Sequence, residues 1–282
     1  MTVTVPTTLT EALQALAVAP GATVVAGGTD LMVEFNSGRR VLPAGADVLV
    51  VNRVAELCTW RRAADVLEIG AGVTWSQVAE LGEWVPALAE AARTVGSPQI
   101  RHAGTIGGNL GTCSPAGDGL PVLAALGAQV HLASADGTRS LPFAEFMVGP
   151  KRTALAPGEL ITHVTVPVLS GYQGYAKVGV RNAMVIATAS VALATDIPTG
   201  SVRLALGSVG PTILRCPEAE DFAAANVDLA AARASAAVVA EFAELARAAA
   251  RPIDDHRSTA AYRRHAVGVL AGRLLRRACP DE

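Results

Sequence analysis

The sequence predicts an α+β chain: an N-terminal unit of two subdomains, followed by a smaller C-terminal domain of antiparallel sheet plus helices. Three observations carry this reading. The first fifty residues run strand, helix, strand; the region from Thr59 is a series of short strand candidates broken by turns and helices; and beyond Pro167 three strand candidates precede two helices. At 282 residues, with 51% hydrophobic and 17% charged residues, the chain can bury a sizeable core. The expected boundaries are 1–170, divided at about 55–56, and 171–282.

In order, Val3 to Pro6 is strand-like, and Thr8-Leu9-Thr10-Glu11 is a capping box. The helix it opens places Leu9, Ala12, Leu13 and Leu16 on one face and ends by Pro20-Gly21. Thr23 to Ala26 is a strand, Leu31 to Phe35 a short helix and Val48 to Val51 a buried strand. Trp60, Val66 to Ile69, Ala128 to Leu132 and Leu160 to Val166 are strand candidates between turns such as Ala135-Asp136-Gly137. Thr74-Trp75-Ser76-Gln77 is a second capping box, opening a helix to about Leu81; Ala87 to Ala92 and Leu120 to Leu126 are further helices. Tyr172 to Val180, Ala187 to Ala194 and Ser201 to Val209 predict a three-stranded antiparallel sheet. Two helices follow, one within Leu229 to Ala250 and one from Ser258 to Ala278. In the last, Tyr262, Ala266, Val269, Leu270 and Leu274 mark the apolar face.

Composition narrows function. A net charge of −2 and a pI near 6.2 argue against nucleic acid. The five arginines between Arg263 and Arg277 read as a solvated helix face, or alternatively as a contact surface for a partner. Cys58, Cys113, Cys216 and Cys279 show no C-x-x-C spacing, so no iron–sulfur cluster or structural zinc is expected in this chain. The five histidines show no metal spacing. No apolar run is long enough for a transmembrane segment and Met1 to Pro6 lacks a signal-peptide pattern, so the cytoplasm is expected. Val66 to Trp75 imitates a strand and dinucleotide fingerprint, but Trp75 stands where the third glycine belongs and no second parallel strand with a terminal acid follows.

Two glycine stretches carry the chemistry. His102 to Asp118 holds five glycines in seventeen residues, with Thr105, Asn109, Thr112 and Ser114 as side-chain donors and Asp118 at its end. Read as a loop, it offers successive amides to an anion; read otherwise, it is an ordinary glycine-rich connection. Val24 to Leu31 runs an apolar strand into Gly27-Gly28. Asp30 and Asp118 are each also placed to cap a following helix. His102 stays open because it adjoins the glycines.

The pair AGGTDL and GTIGGN followed by SPAGD resembles the FAD-binding (medium) subunit of the molybdenum hydroxylases, as in carbon monoxide dehydrogenase and xanthine dehydrogenase. Tyr175-x-Lys177-x-x-x-Arg181 is similar to that family's segment beside the flavin ring, and the closing helix matches as well. The resemblance implies a PCMH-type FAD-binding domain, with FAD extended between the two N-terminal subdomains. It implies that Ala26, Gly27, Gly28, Thr29 and Asp30 wrap the diphosphate together with Thr105, Ile106, Gly107, Gly108 and Asn109; Val25, Leu31, His102 and Gly104 belong to the same stretches. Thr112 and Ser114 match further contacts, Asp118 the carboxylate of the adenosine part, Ile161 an aliphatic residue against the isoalloxazine, and Lys177 a cation near the ring, with a solvent-facing strand lysine as the lesser alternative. Cys113 stands where the family usually has alanine, and Gly117-Asp118-Gly119 is richer in glycine than its counterpart.

The implied activity is that of an oxidoreductase subunit without catalytic acid or base of its own. It takes electrons from [2Fe-2S] clusters on a small partner subunit, fed by a molybdopterin cofactor on a large one, and passes them through FAD to NAD, a quinone or oxygen. A dimer of heterotrimers is implied, inactive on substrate without the partners. Two other readings stand beside it: a self-sufficient flavin oxidase on the same fold, and a nucleotide-binding module without redox chemistry.

Overall fold

A computed structural model describes residues 2–280; Met1, Asp281 and Glu282, the outer ends of the two expected units, lie outside the described residues. Among these residues, β1 (Thr2–Thr4), α1 (Leu9–Val18), β2 (Thr23–Val25), α2 (Leu31–Asn36) and β3 (Asp47–Val50) form the first layer. Its strands are parallel in the order β1-β3-β2, as a strand–helix–strand start requires. The Thr8 capping box is present in full, and α1 buries Ala12 and Leu16 against Leu49, Val51 and Leu57.

The second layer contains β4 (Trp60–Ala63), β5 (Val66–Gly70), α3 (Trp75–Val78), α4 (Pro86–Thr94), α5 (Pro98–Ala103), α6 (Ile106–Thr112), α7 (Gly119–Leu126), β6 (Gln129–Ser134), β7 (Gly137–Pro142), α8 (Phe143–Phe146), β8 (Met147–Gly149), β9 (Arg152–Thr153) and β10 (Leu160–Pro167). Five strands make an antiparallel sheet in the order β4-β5-β10-β6-β7. Since β5 has antiparallel neighbours on both sides, the glycines after it cannot belong to a parallel dinucleotide-binding unit. Gly70 and Gly72 instead let the chain pass against Leu57, where a Cβ would come within 2.2 Å and 3.0 Å of the Leu57 carbonyl oxygen.

The third layer has β11 (Gln173–Val178), β12 (Ala189–Asp196), β13 (Ser201–Gly207), β14 (Leu214–Arg215), α9 (Pro217–Asn226), α10 (Ala236–Ala249) and α11 (Ala260–Ala278). Alternation along the strands divides its two faces. Tyr175, Ala192, Ala194 and Ala205 face the helices of the second layer, whereas Val191, Leu193, Leu204 and Leu206 face the last three helices. Arg203 and Arg215 donate to the carbonyls of Leu126 and Ala124 at the C-terminal end of α7, joining the third layer to the second.

Several sequence expectations need correction. The third sheet has four strands rather than three, because Leu214–Arg215 pairs with β13, and α9 precedes the two expected helices. The helix expected within Leu229 to Ala250 needs no correction: it runs from Ala236 to Ala249, with Ser235 as its cap. Tyr262 lies off the buried face of α11, 47% exposed. Arg263 is the reverse case: it is buried, not solvated, and donates to the carbonyls of Thr188 and Ser208 and to Asp255. The largest correction concerns the second glycine stretch, where α5 and α6 replace the expected loop.

Candidate functional site

A cleft of about 540 Å³ opens where the three layers meet. Its walls come from the end of β2 and α2, from α6 and the turn after it, from Leu155 to Ile161, and from Met184 to Ile186 before β12. A cleft of this size is in the range of cofactor sites. Fifteen sequence-predicted residues line it: Val25, Ala26, Gly27, Gly28, Thr29, Asp30, Leu31, Gly104, Thr105, Gly107, Gly108, Asn109, Thr112, Asp118 and Ile161.

The two glycine stretches touch. A Cβ on Gly27 would lie 1.8 Å from the Ala103 carbonyl oxygen, so any side chain there forces the first stretch away from the end of α5. Gly28 has φ +66°, and the carbonyl of Gly28 accepts from Met32 at the start of α2. Among the described residues, the amides of Gly27, Gly28, Thr29 and Asp30 find no protein acceptor. Four consecutive unspent N–H groups at a cleft wall form a concavity suited to an anion. Asp30 makes no side-chain capping bond to α2, contrary to the capping alternative.

The second stretch works differently from the expected amide cradle. Thr105 caps α6 with its hydroxyl, and the first four helical amides are already spent: Ile106 on Val73, Gly107 on Ala71, Gly108 on the Thr105 hydroxyl and Asn109 on the Thr105 carbonyl. The glycines serve close approach instead. A Cβ on Gly107 would meet Ala71 Cβ at 2.5 Å, whereas one on Gly108 would meet only Thr105 Oγ1, at 3.1 Å. Asn109 Oδ1 is buried at the cleft without a hydrogen-bond partner in the structure. A buried amide oxygen of this kind calls for a donor.

Four predicted residues do not line the cleft. His102 is exposed and Ile106 is in the core of the second layer. The Ser114 hydroxyl accepts from the Ala116 amide in the turn after α6. Lys177 lies behind Asp118, their side chains 9% and 10% exposed and 2.7 Å apart. A carboxylate at the adenosine end of an extended FAD and a cation at its ring end cannot be one ion pair, so the pairing places Asp118 and Lys177 at one end of the site, and the two expected positions cannot both hold. Asp118 also makes no capping bond to α7; its oxygens turn to Lys177 and Tyr175. Burial pushes the Asp118 carboxyl above the usual carboxylate range against the pull of both partners.

Sequence reasoning missed Glu34, Arg40, Lys151, Glu159 and Met184 as cleft residues. Glu34 pairs with Lys151 across the cleft, and Glu159 is held by Arg139. None sits in a glycine motif, and a separation of 117 residues between Glu34 and Lys151 leaves no local signal. Trp75, read as an obstruction, has a packing role: its ring occupies the space a Cβ on Gly119 would need. Cys113 is fully buried and burial pushes its thiol up to about 11, which leaves no nucleophile there.

Residues 1–169 match the model described as "FAD binding domain in molybdopterin dehydrogenase", and residues 175–278 match "CO dehydrogenase flavoprotein C-terminal domain". This chain belongs to the FAD-binding subunits of the molybdenum hydroxylases. It is 34% identical to the glyceraldehyde dehydrogenase medium chain of Sulfolobus acidocaldarius over 79% of each chain. It is 30% identical to the nicotine 6-hydroxylase medium subunit of Paenarthrobacter nicotinovorans over 96% of this chain and 94% of that one. Carbon monoxide dehydrogenase from Hydrogenophaga pseudoflava superposes with a TM-score of 0.87 at 28% identity, covering 99% and 96% of the two chains. As a molybdenum hydroxylase FAD subunit, the chain is an oxidoreductase component that binds FAD. The residues present fit that cofactor: an unspent amide run for a diphosphate, glycines where a Cβ would collide or fill the cleft, and an orphaned amide oxygen for a donor. No helix among the described residues is long and apolar enough to cross a membrane.

Proposed function

We propose that this subunit is the exit station of a molybdenum-dependent hydroxylase, and that the amide run Gly27 to Asp30 holds the diphosphate of its FAD. When bound, FAD supplies two-electron and one-electron carriage between iron–sulfur clusters on a small partner subunit and an external acceptor. A large partner subunit with a molybdopterin cofactor performs the substrate chemistry, and this chain alone turns over no substrate. The observation that carries this reading is the set of four unpartnered amides facing the cleft.

The chain's own residues then divide the work. Gly27, Gly28, Thr29 and Asp30 neutralise phosphate charge with amide dipoles, and Val25, Ala26 and Leu31 shape the wall beside them. Gly104 and Gly107 allow the close packing that seats α6, Thr105 caps it, and Gly108 leaves the cleft open so that Asn109 and Thr112 face the cofactor. Ile161 packs near Gly111 at the far end of α6, where a Cβ would sit 4.0 Å from it, and offers an apolar surface to the flavin ring. Asp118, backed by Lys177, accepts a hydrogen bond at that same end. We take residues 1–170 as the cofactor-binding unit, in subdomains 1–55 and 56–170, and 171–282 as the C-terminal unit. Assembly as a dimer of heterotrimers in the cytoplasm completes the proposal; the four free cysteines suit a reducing compartment.

The test is the visible absorption of the purified chain, with the released cofactor identified by mass. About one FAD per chain, and no substrate turnover until the partner subunits are added, is the expected result. A colourless chain that fails to take up FAD even beside its partners would overturn the reading, and binding of ATP instead would favour a non-redox nucleotide module. Substrate oxidation by the chain alone would favour a self-sufficient flavin oxidase.

A further inference from the structure

Tyr175 does not line the cleft, yet its hydroxyl is one hydrogen bond from a residue that does. Tyr175 and Lys177 are two apart on β11 and therefore share the face turned toward the second layer. Tyr175 Oη donates to Asp118 Oδ1 at 2.8 Å, and Lys177 Nζ donates to Oδ2 at 2.7 Å. The ammonium directs its other two hydrogens to the carbonyls of Thr94, at 2.9 Å, and Val185, at 3.1 Å. An ammonium has three donors, so Lys177 keeps none for a ligand. Asp118 is the member of the cluster that faces the cleft, and each of its oxygens retains acceptor capacity.

The tyrosine is held rigidly. Its side chain is buried, its backbone amide donates to Glu90 Oε2 at 2.8 Å, and its hydroxyl donates to Asp118. We propose that Tyr175 is a positioning residue for the cofactor site: with Lys177 it fixes the Asp118 carboxylate so that it accepts a hydrogen bond from an N–H or O–H of the bound FAD. The proposal rests on the FAD reading above. Lys177 and Tyr175, both from β11, are the charged and titratable groups that act on Asp118; α4 contributes the Thr94 carbonyl and α6 the neutral Asn109. Removing the Tyr175 donor takes away a bond that favours the ionised carboxyl, so Asp118 protonates at a higher pH in Tyr175→Phe than in the wild type.

The experiment is a double-mutant cycle on the full chain. FAD affinity is measured by flavin fluorescence between about pH 5 and 8 for the wild type, Tyr175→Phe, Asp118→Asn and the double variant. Tyr175→Phe should bind FAD about 5- to 10-fold more weakly at neutral pH, and its affinity should fall off at a higher pH on acidification. In the Asp118→Asn background the same substitution should change nothing further. An equal loss in both backgrounds, or an unmoved pH profile, overturns the positioning role. Absence of FAD binding by the wild type overturns the underlying reading, a separate outcome. Should Tyr175→Phe fail to fold, Lys177→Met, which removes the other donor to Asp118, carries the same cycle with an expected loss of about 5- to 10-fold, and an equal loss in the Asp118→Asn background overturns the role.

Discussion

Gly107 and Gly108 are neighbours in α6, yet the structure assigns them different duties, and substitution should separate them. A methyl at Gly107 would sit 2.5 Å from Ala71 Cβ and 2.7 Å from the Ala71 carbonyl oxygen, the same oxygen that accepts from the Gly107 amide at 2.9 Å. Overpacking of this kind costs about 1–3 kcal/mol, and strain on that hydrogen bond about 1 kcal/mol more. The gain in helix propensity from glycine to alanine, about 1 kcal/mol, offsets part of it. Gly107→Ala should therefore destabilise the chain by about 1–3 kcal/mol before any ligand is present. At Gly108 a methyl meets only Thr105 Oγ1, at 3.1 Å, and the cleft beyond is open. Gly108→Val should leave apoprotein stability within about 1 kcal/mol, the propensity gain balancing pressure on the Thr105 cap, while lowering FAD affinity at least about 10-fold by filling the cleft. Thermal unfolding of the apoprotein followed by circular dichroism, together with FAD titration, reads both quantities. A Gly107→Ala variant as stable as the wild type, or a Gly108→Val variant with full FAD occupancy, would refute the division of roles.

Other expectations follow from the buried charges. Arg263→Met should destabilise the third layer by about 3–5 kcal/mol, because Asp255 and the carbonyls of Thr188 and Ser208 lose their shared donor; denaturant unfolding with a midpoint unchanged from the wild type would contradict this. The Arg139 guanidinium beside Glu159 holds its carboxyl below the usual range. A carboxyl lowered in the folded state contributes stability above its unfolded value of 4.5, and that contribution is lost as pH falls through the lower folded value. Glu159→Gln should thus lower stability near neutral pH and flatten its dependence on acid; an unchanged slope below about pH 5 would count against the pair.

The alternating strands, the two capping boxes and the parallel start were legible because each depends on side chains within a few residues of one another. The second glycine stretch was misread for a related reason. Glycine density signals backbone freedom, and local propensity disfavours a helix there, yet Thr105 caps one and the Ala71 and Val73 carbonyls take the first amides. That compensation comes from a connection some thirty residues earlier in the chain and leaves no trace in the stretch itself. The short strand Leu214–Arg215 and the helix after it likewise depend on β13 and the third-layer core.

Most of the residues singled out in the two glycine stretches line the cleft, although His102, Ile106 and Ser114 do not, and what each can do depends on partners far away in the chain. The sequence by itself marked two glycine stretches and one carboxylate as the candidates for a cofactor site, because those residue types leave backbone open and offer hydrogen-bonding groups. Only the tertiary structure decided which stretch keeps its amides unspent, that Arg263 is buried, and that Asp118 and Lys177 stand at one end of the site. Each of those outcomes is a matter of which acceptor or counter-charge the fold brings within about 3 Å, a distance that sequence spacing does not encode.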